Sequence, residues 1–290
     1  MDSAESVEST ADRRRVRTPE EILANISYEV MPLKGAEDAV LRHVPAEVAL
    51  TVTATERRGV DTTVDLAERL AAHGYRVAPH LAARLIADRR QLAELLARLA
   101  VAQVDRIFVV GGDARQPLGE FVDANSLLRA IAELGHGFET VAVGGYPEGH
   151  ASISDQALEQ SMNDKAPPAT HVITQICFDA EVTVDWARRL RAQHPGLEVL
   201  VGVPAPVSRQ KLMRISSGIG LGQSARFLSR HQSLVWRLLQ PGGYRPDRLL
   251  RGFRKELGRS ETNIGGFHLF TFNELERAEA WRQSMLGRNT

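Results

Sequence analysis

Eight short runs of β-branched and other apolar residues recur along the chain, and the segments between them carry apolar residues at helical spacing. The runs are ISYEVM (26–31), EVALTVT (47–53), YRVAPH (75–80), DRIFVV (105–110), ETVAVGG (139–145), HVITQICF (171–178), LEVLVGV (197–203) and GFHLFTF (266–272). Strands this uniformly apolar are covered on both faces, and strands that alternate with helices run parallel, because each helix carries the chain back across the sheet. VDLAERLAAHG and RRQLAELLARLAVAQ show the helical spacing, the first stopped by Gly74 as a C-terminal cap. Eight such units match the (β/α)8 barrel, an α/β fold of about 250 residues. An open doubly wound sheet is the alternative arrangement. SARFLSRHQSLVWRLLQ and RPDRLLRGFRKELG add two helices between the seventh and eighth strands, separated by a turn at Pro241-Gly242-Gly243.

The chain has 290 residues, 43% hydrophobic and 25% charged, enough to bury a full core. Residues 1–20 form a polar arm with the basic cluster Arg13-Arg14-Arg15-Val16-Arg17, and residues 21–290 form one catalytic barrel. Thirty-six Lys and Arg balance thirty-six Asp and Glu, so no global field draws nucleic acid or an anionic membrane, and a small-molecule partner is expected. No apolar run approaches the roughly 20 residues that span a bilayer. The single cysteine, Cys177, fits a reducing compartment, and a cytoplasmic location is expected.

Catalytic groups of such a barrel sit at the C-terminal ends of its strands. Polar residues collect there: Glu29 in strand 1; Thr53, Thr55 and Glu56 at the end of strand 2; His80 on strand 3; Gly111, Gly112 and Asp113 after strand 4; Tyr146, Glu148 and His150 after strand 5; Gln175 near the end of strand 6. Asp113 reads either as a cap for the next helix or as a carboxylate pointing across the mouth, with the two glycines letting backbone approach a ligand. Glu29 reads either as the partner of a buried cation or as an acid whose pKa burial raises toward neutrality. Gly218, Gly220 and Gly222 lack the preceding strand and spacing of a dinucleotide loop. Cys177 reads as a small core residue, and His171, His194 and His231 have no metal spacing around them.

Taken in order, SYEVMP (27–32), APHLA (78–82), GGD (111–113), GGYPEGH (144–150), ITQICFD (173–179), PAPVS (204–208) and FHLFTFN (267–273) resemble the successive barrel motifs of the methylenetetrahydrofolate reductases. The resemblance runs from residue 20 to residue 288. It implies reduction of the methylene bridge of 5,10-methylenetetrahydrofolate to a methyl group. Glu29 would be the acid that protonates N10 and opens the ring to an iminium cation, Asp113 would stabilise that cation, and Gln175 and Tyr146 would hold the folate. Two carboxyl groups in different environments can divide such work.

The same resemblance implies a flavin, and here the residues depart from the family's pattern. The family's RGD reads Gly111-Gly112-Asp113, and DQALEQSMNDKAPP puts Glu159 at the usual aspartate, Met162 at the asparagine and Lys165-Ala166 at the basic pair. Each lost charge-assisted hydrogen bond to a pyrophosphate removes about 1.5 to 3 kcal/mol. The expectation is that FAD is absent or weakly held and that NADH or NADPH reduces the folate directly. Thr53, Glu56, His80, Gly112, Tyr146 and His150 would then line the nucleotide site. Glu274 stands where relatives carry a folate-contacting arginine, with Arg209, Lys211 and Arg214 as available substitutes. Two alternatives remain: a non-catalytic folate- or nucleotide-binding relative, and an unrelated barrel enzyme that binds a phosphorylated substrate after strand 7 or 8.

Overall fold

The computed structural model describes residues 18–150, 152–207, 246–254, 256–257 and 261–287. Its eight strands are β1 (Ile26–Val30), β2 (Leu50–Val52), β3 (Val77–Ala82), β4 (Arg106–Val110), β5 (Thr140–Gly145), β6 (His171–Thr174), β7 (Glu198–Pro204) and β8 (Ile264–Phe270). They pair in chain order with every ladder parallel, and β8 pairs with β1 to close a barrel. Closure excludes the open doubly wound sheet.

The helices among the described residues are α1 (Pro19–Ala24), α2 (Ala36–His43), α3 (Gly59–Ala72), α4 (Arg89–Val101), α5 (Ala124–Leu134), α6 (Asp155–Lys165), α7 (Ala180–Gln193), α8 (Asp247–Phe253) and α9 (Leu275–Leu286). Gly74 follows α3 at φ 85°, the left-handed conformation expected of it. Asp88, Asp123, Ser154 and Asp179 cap α4, α5, α6 and α7 by accepting backbone N–H bonds, so these βα loops end in side chains that satisfy the first helical turn. Helix α8 lies within RPDRLLRGFRKELG as expected. The SARFLSRHQSLVWRLLQ helix, the Pro241-Gly242-Gly243 turn, the glycine-rich SSGIGLGQ stretch, Arg209, Lys211, Arg214 and His231 lie outside the described residues. So does most of the N-terminal arm. Among the described residues no helix is long and apolar enough to cross a membrane.

Strand alternation decides which side chains reach the barrel interior. Tyr28 is fully buried and points outward, donating its hydroxyl to Glu279 on α9 at 2.8 Å. Arg282, one turn further along α9, holds the same carboxylate through Nε and Nη2, both at 2.8 Å. Ser27 and Glu29, either side of Tyr28, therefore face inward.

Two strands end earlier than the sequence suggests. β6 stops at Thr174, and ICF leaves the ladder, where Thr174 Oγ1 donates to the Gln175 carbonyl and accepts from the Gly202 N–H. A Cβ on Gly202 would lie 2.3 Å from the Thr174 carbonyl, so glycine is what permits this close approach of β7 to β6. β8 begins two residues early, at Ile264, and stops at Phe270 because Phe272 and Asn273 turn into the left-handed region, at φ 51° and 59°.

Candidate active site at the C-terminal mouth of the barrel

The interior has a polar side. His268 on β8 is fully buried, with Nδ1 2.8 Å from Ser27 Oγ on β1 and Nε2 3.5 Å from Thr51 Oγ1 on β2. His80 on β3 stacks edge-on against Phe108 of β4, with ring centroids 4.5 Å apart. Burial drives both imidazoles down to about 3, His80 with added repulsion from His268, so both are neutral at ordinary pH. Two buried atoms on this side, His80 Nε2 and Thr53 Oγ1, find no partner among the described residues.

Glu29 lies one inward step above Ser27, paired in register with Thr51 on one side and Phe270 on the other. Its carboxyl makes no hydrogen bond or ion pair among the described residues, which removes the reading of Glu29 as the partner of a buried cation there. Its residue surface is only partly covered, yet the carboxyl is desolvated deeply enough to push it up to about 8. The ring of Phe270, the register partner of Glu29, leans across the glycine of β7, where a Cβ on Gly202 would meet Phe270 Cε2 at 2.7 Å. A carboxylic acid that still holds its proton near neutrality is suited to give that proton to a substrate nitrogen.

Across the mouth, Gly112 takes φ 89°, and a Cβ there would lie 3.3 Å from Ala82 Cβ. The positive φ favours glycine here, and the approach to Ala82 leaves a side chain little room. Asp113 follows it, exposed, and does not cap α5, a task carried by Asp123. Its carboxylate makes no hydrogen bond among the described residues, but its charge reaches Tyr146, whose phenol is pushed up first by burial and then by Asp113. The Tyr146 ring folds back over the inward face of β5, since a Cβ on Gly144 would sit 3.8 Å from the phenolic oxygen. His150 meets that ring edge-on at 5.3 Å.

Other rim residues divide differently. Gln175 lies just past β6, exposed, its Oε1 accepting from the Ile176 N–H at 2.9 Å. Glu148 is occupied structurally, accepting the N–H groups of Phe178 and Asp179 at 2.6 and 2.8 Å ahead of α7. Glu56 is exposed on the turn between β2 and α3, which the Thr55–Gly59 bridge closes. Cys177 is a core residue, its thiol pushed up to about 12 by burial. Among the described residues no three His, Cys, Asp or Glu side chains gather as a metal site. Ser27, Thr51 and His268 are site residues that the sequence reading passed over.

A sequence model of the methylenetetrahydrofolate reductase family matches residues 19–230, which span β1 through β7. The chain belongs to the methylenetetrahydrofolate reductase family. This assignment removes the unrelated barrel enzyme from consideration. Solved structures that match the chain include an uncharacterised protein from Clostridium thermocellum, described as binding two copies of 5-methyl-5,6,7,8-tetrahydrofolic acid. It is 11% identical, with 92% of this chain and 97% of that chain covered, at a TM-score of 0.59. N-acetylneuraminate lyase from Fusobacterium nucleatum is also 11% identical, over 91% of this chain and 76% of that one, at a TM-score of 0.47. The Clostridium thermocellum likeness concerns the fold alone.

In this reductase-family barrel the helix after β5 is α6. Met162 and Lys165 are both buried, and Lys165 Nζ donates to the Gly144 carbonyl at 2.8 Å. Burial brings that amine down to about 8. A cavity of about 560 Å³ between α6 and α7 reaches the rim at Tyr146. Glu148, Asp155, Glu159 and Asp179 line it together with Lys165 and Arg189, so carboxylates outnumber cations around it.

Proposed function

We propose that this protein reduces 5,10-methylenetetrahydrofolate to 5-methyltetrahydrofolate, taking hydride directly from NADH or NADPH without tightly bound FAD. The observation that carries the reading is Glu29, a shielded acid facing the barrel mouth with no compensating cation among the described residues. Protonation of N10 by Glu29 opens the five-membered ring, the electron pair of N5 forms the iminium with the methylene carbon, and hydride adds to that carbon. The positive charge that develops would lie within the field of Asp113. Tyr146 and Gln175 would hold the pterin. Gly112, Thr53, His80 and His150 would border the dihydronicotinamide, with Glu56 at the outer edge.

The residues present do not fit the pyrophosphate of FAD. Gly111 offers no guanidinium, Met162 offers no polar atom, Lys165 is engaged with a backbone carbonyl, and the neighbouring cavity is rich in carboxylates. An anion held there would need cations or free N–H donors. That the Clostridium thermocellum barrel is described as binding 5-methyltetrahydrofolic acid agrees with a folate ligand for this chain.

The deciding experiment follows NADH and NADPH oxidation with methylenetetrahydrofolate in flavin-free buffer, alongside the visible spectrum of protein purified without added cofactor. Turnover by colourless protein is expected. Stoichiometric bound flavin would overturn direct transfer and leave the reductase assignment standing. Folate binding without oxidation of either nucleotide, with or without added FAD, would favour a non-catalytic binder, the reading that the altered α6 positions favour.

A further inference from the structure

We propose that Asn273 and Thr271, in the turn leaving β8, are positioning residues that hold the catalytic strand end of Glu29 closed. The inference rests on the reading of Glu29 as the acid. The β1–β8 ladder makes its last pair at Glu29 and Phe270, so backbone pairing no longer joins the two strands beyond the acid. Side chains continue the seam from there. Thr271 Oγ1 donates to the carbonyl oxygen of Glu29 itself. The carboxamide of Asn273 then embraces the Met31 peptide groups, Oδ1 accepting from the Met31 N–H at 2.8 Å and Nδ2 donating to the Met31 carbonyl at 2.9 Å. An amide side chain satisfies one N–H and one C=O of a neighbouring strand, as a further ladder residue would.

The turn that presents these groups is in a costly conformation. Phe272 and Asn273 are two of the three non-glycine residues with positive φ among those described, and asparagine tolerates that region better than most residues. Backbone strain of this kind persists where surrounding structure enforces it. The Asn273 N–H is tied back to Thr271 Oγ1 at 3.2 Å, so the two clamping side chains are also coupled. Phe272 is turned inward against Val207, and Met31, Ile176 and Phe270 pack on the same cluster. The turn thus packs an apolar cluster against Met31 and Phe270 while its polar groups fasten the strand that carries Glu29.

Opening this seam admits water to Glu29. Among the described residues, the groups on the acid's side of the barrel are uncharged: Thr51 on β2 and Thr53 just past it, neutral His80 on β3, and neutral His268 with Phe270 on β8. Asp113 and Tyr146 stand on the far side of the mouth, beyond β4 and β5. Burial is what raises the Glu29 pKa, so a looser seam lowers it.

The test compares wild type with Asn273→Ala, Asn273→Asp, Thr271→Val and Thr271→Ser in NAD(P)H-linked turnover across the neutral and alkaline range. The Glu29 carboxyl is titrated in each by carbon NMR, with Glu29→Gln assigning its signal. Asn273→Ala and Thr271→Val are expected to lose on the order of 10- to 100-fold in kcat with KM little changed. The alkaline limb of kcat/KM should move to lower pH together with the Glu29 titration. Asn273→Asp, which keeps the acceptor for Met31, and Thr271→Ser should recover part of both. Folded variants with the wild-type rate and the wild-type Glu29 titration would overturn the proposal. If the variants do not fold, hydrogen exchange of the Met31 amide in wild type decides: protection supports the clamp, and exchange at the rate of an open loop refutes it. Wild type without turnover would sink the reductase reading alone, since the titration and the exchange measurement still judge the clamp.

Discussion

Inside the barrel, β1, β2, β3 and β8 contribute Ser27, Glu29, Thr51, His80 and His268, whereas β4 through β7 contribute Phe108, Val110, Ala142, Ile173 and Leu200. The second group packs with Ala78 into an apolar cluster of its own, separate from the core between strands and helices. Both sides are enclosed, and their energetics differ. Apolar side chains gain from burial and dispersion, while buried imidazoles, hydroxyls and a carboxyl repay desolvation only through the bonds they make. His268 has two such bonds, but among the described residues His80 Nε2, Thr53 Oγ1 and the Glu29 carboxyl have none. One wall stabilises the barrel, and the other holds groups left over for a ligand.

Replacing the acid is the largest perturbation of the polar wall. Glu29→Gln should lower turnover about 10²- to 10⁴-fold while folate still binds, the range a general acid contributes. Its stability should move the other way. The folded carboxyl keeps its proton up to about pH 8, whereas the unfolded chain releases it near 4.5. The contribution of Glu29 is therefore intact below the unfolded value and is lost as pH rises toward 8. Above pH 8 the Gln variant should gain in melting temperature relative to wild type, compared with the same difference measured near 4.5. Equal differences at both pH values would mean that Glu29 is not desolvated in the folded protein.

On the apolar wall, Phe108→Ala should cost about 3 to 5 kcal/mol in urea unfolding, the range for removing a buried ring. A cost below 1 kcal/mol would show that this wall does not pack as described. The matching change on the polar wall, Ser27→Ala, should cost less, about 1 to 3 kcal/mol, by leaving His268 Nδ1 without its partner. The histidines supply a pH signature as well. Both are held down to about 3, so the unfolded chain takes up protons below about 6.5 that the folded chain refuses. Their contribution is complete above 6.5 and declines as pH falls toward 3. His268→Asn should flatten part of that acid decline, measured as urea midpoints against pH.

How the sequence reveals this contrast differs between the walls. Strand number, order and parallel sense follow from apolar runs and helical spacing, because those patterns are local. Glu29 stood out as a charge within an apolar run, and Asp113 through the two glycines before it. Ser27, Thr51 and His268 were hidden: single polar residues inside strands look like ordinary variation, and the Ser27–His268 bond joins positions 241 residues apart. The usable signal was parity, since Ser27 and Glu29 on β1, and Thr51 on β2 with Thr53 just past it, all fall on the inward register. Rim composition overstated the convergence in turn. Glu148 belongs to the backbone ahead of α7, a role set by the fold of a loop some thirty residues later. The ends of β6 and β8 were overrun because ICF and TF are as apolar as the strands before them, and the stop is tertiary, at Gly202 and at the left-handed turn.

The smallest expected effect tests whether the two walls share one mouth. Asp113 follows β4 on the apolar side, and Tyr146 follows β5, so neither touches Glu29 through a bond. The phenol of Tyr146 is raised by burial first and by the Asp113 charge second. Asp113→Asn removes the charge and leaves the burial, so the phenol should titrate lower than in wild type yet still above its ordinary value near 10. The phenolate absorbance of each protein, with Tyr146→Phe subtracted, reads this directly. If the curve does not move, Asp113 does not act on the space above β5, and a cation formed beside Glu29 would have lost the carboxylate expected to stabilise it. If it moves, while Glu29→Gln leaves the phenol where it was, the mouth is divided as the walls are: proton supply on the β1 side, charge stabilisation on the other, with the pterin between them.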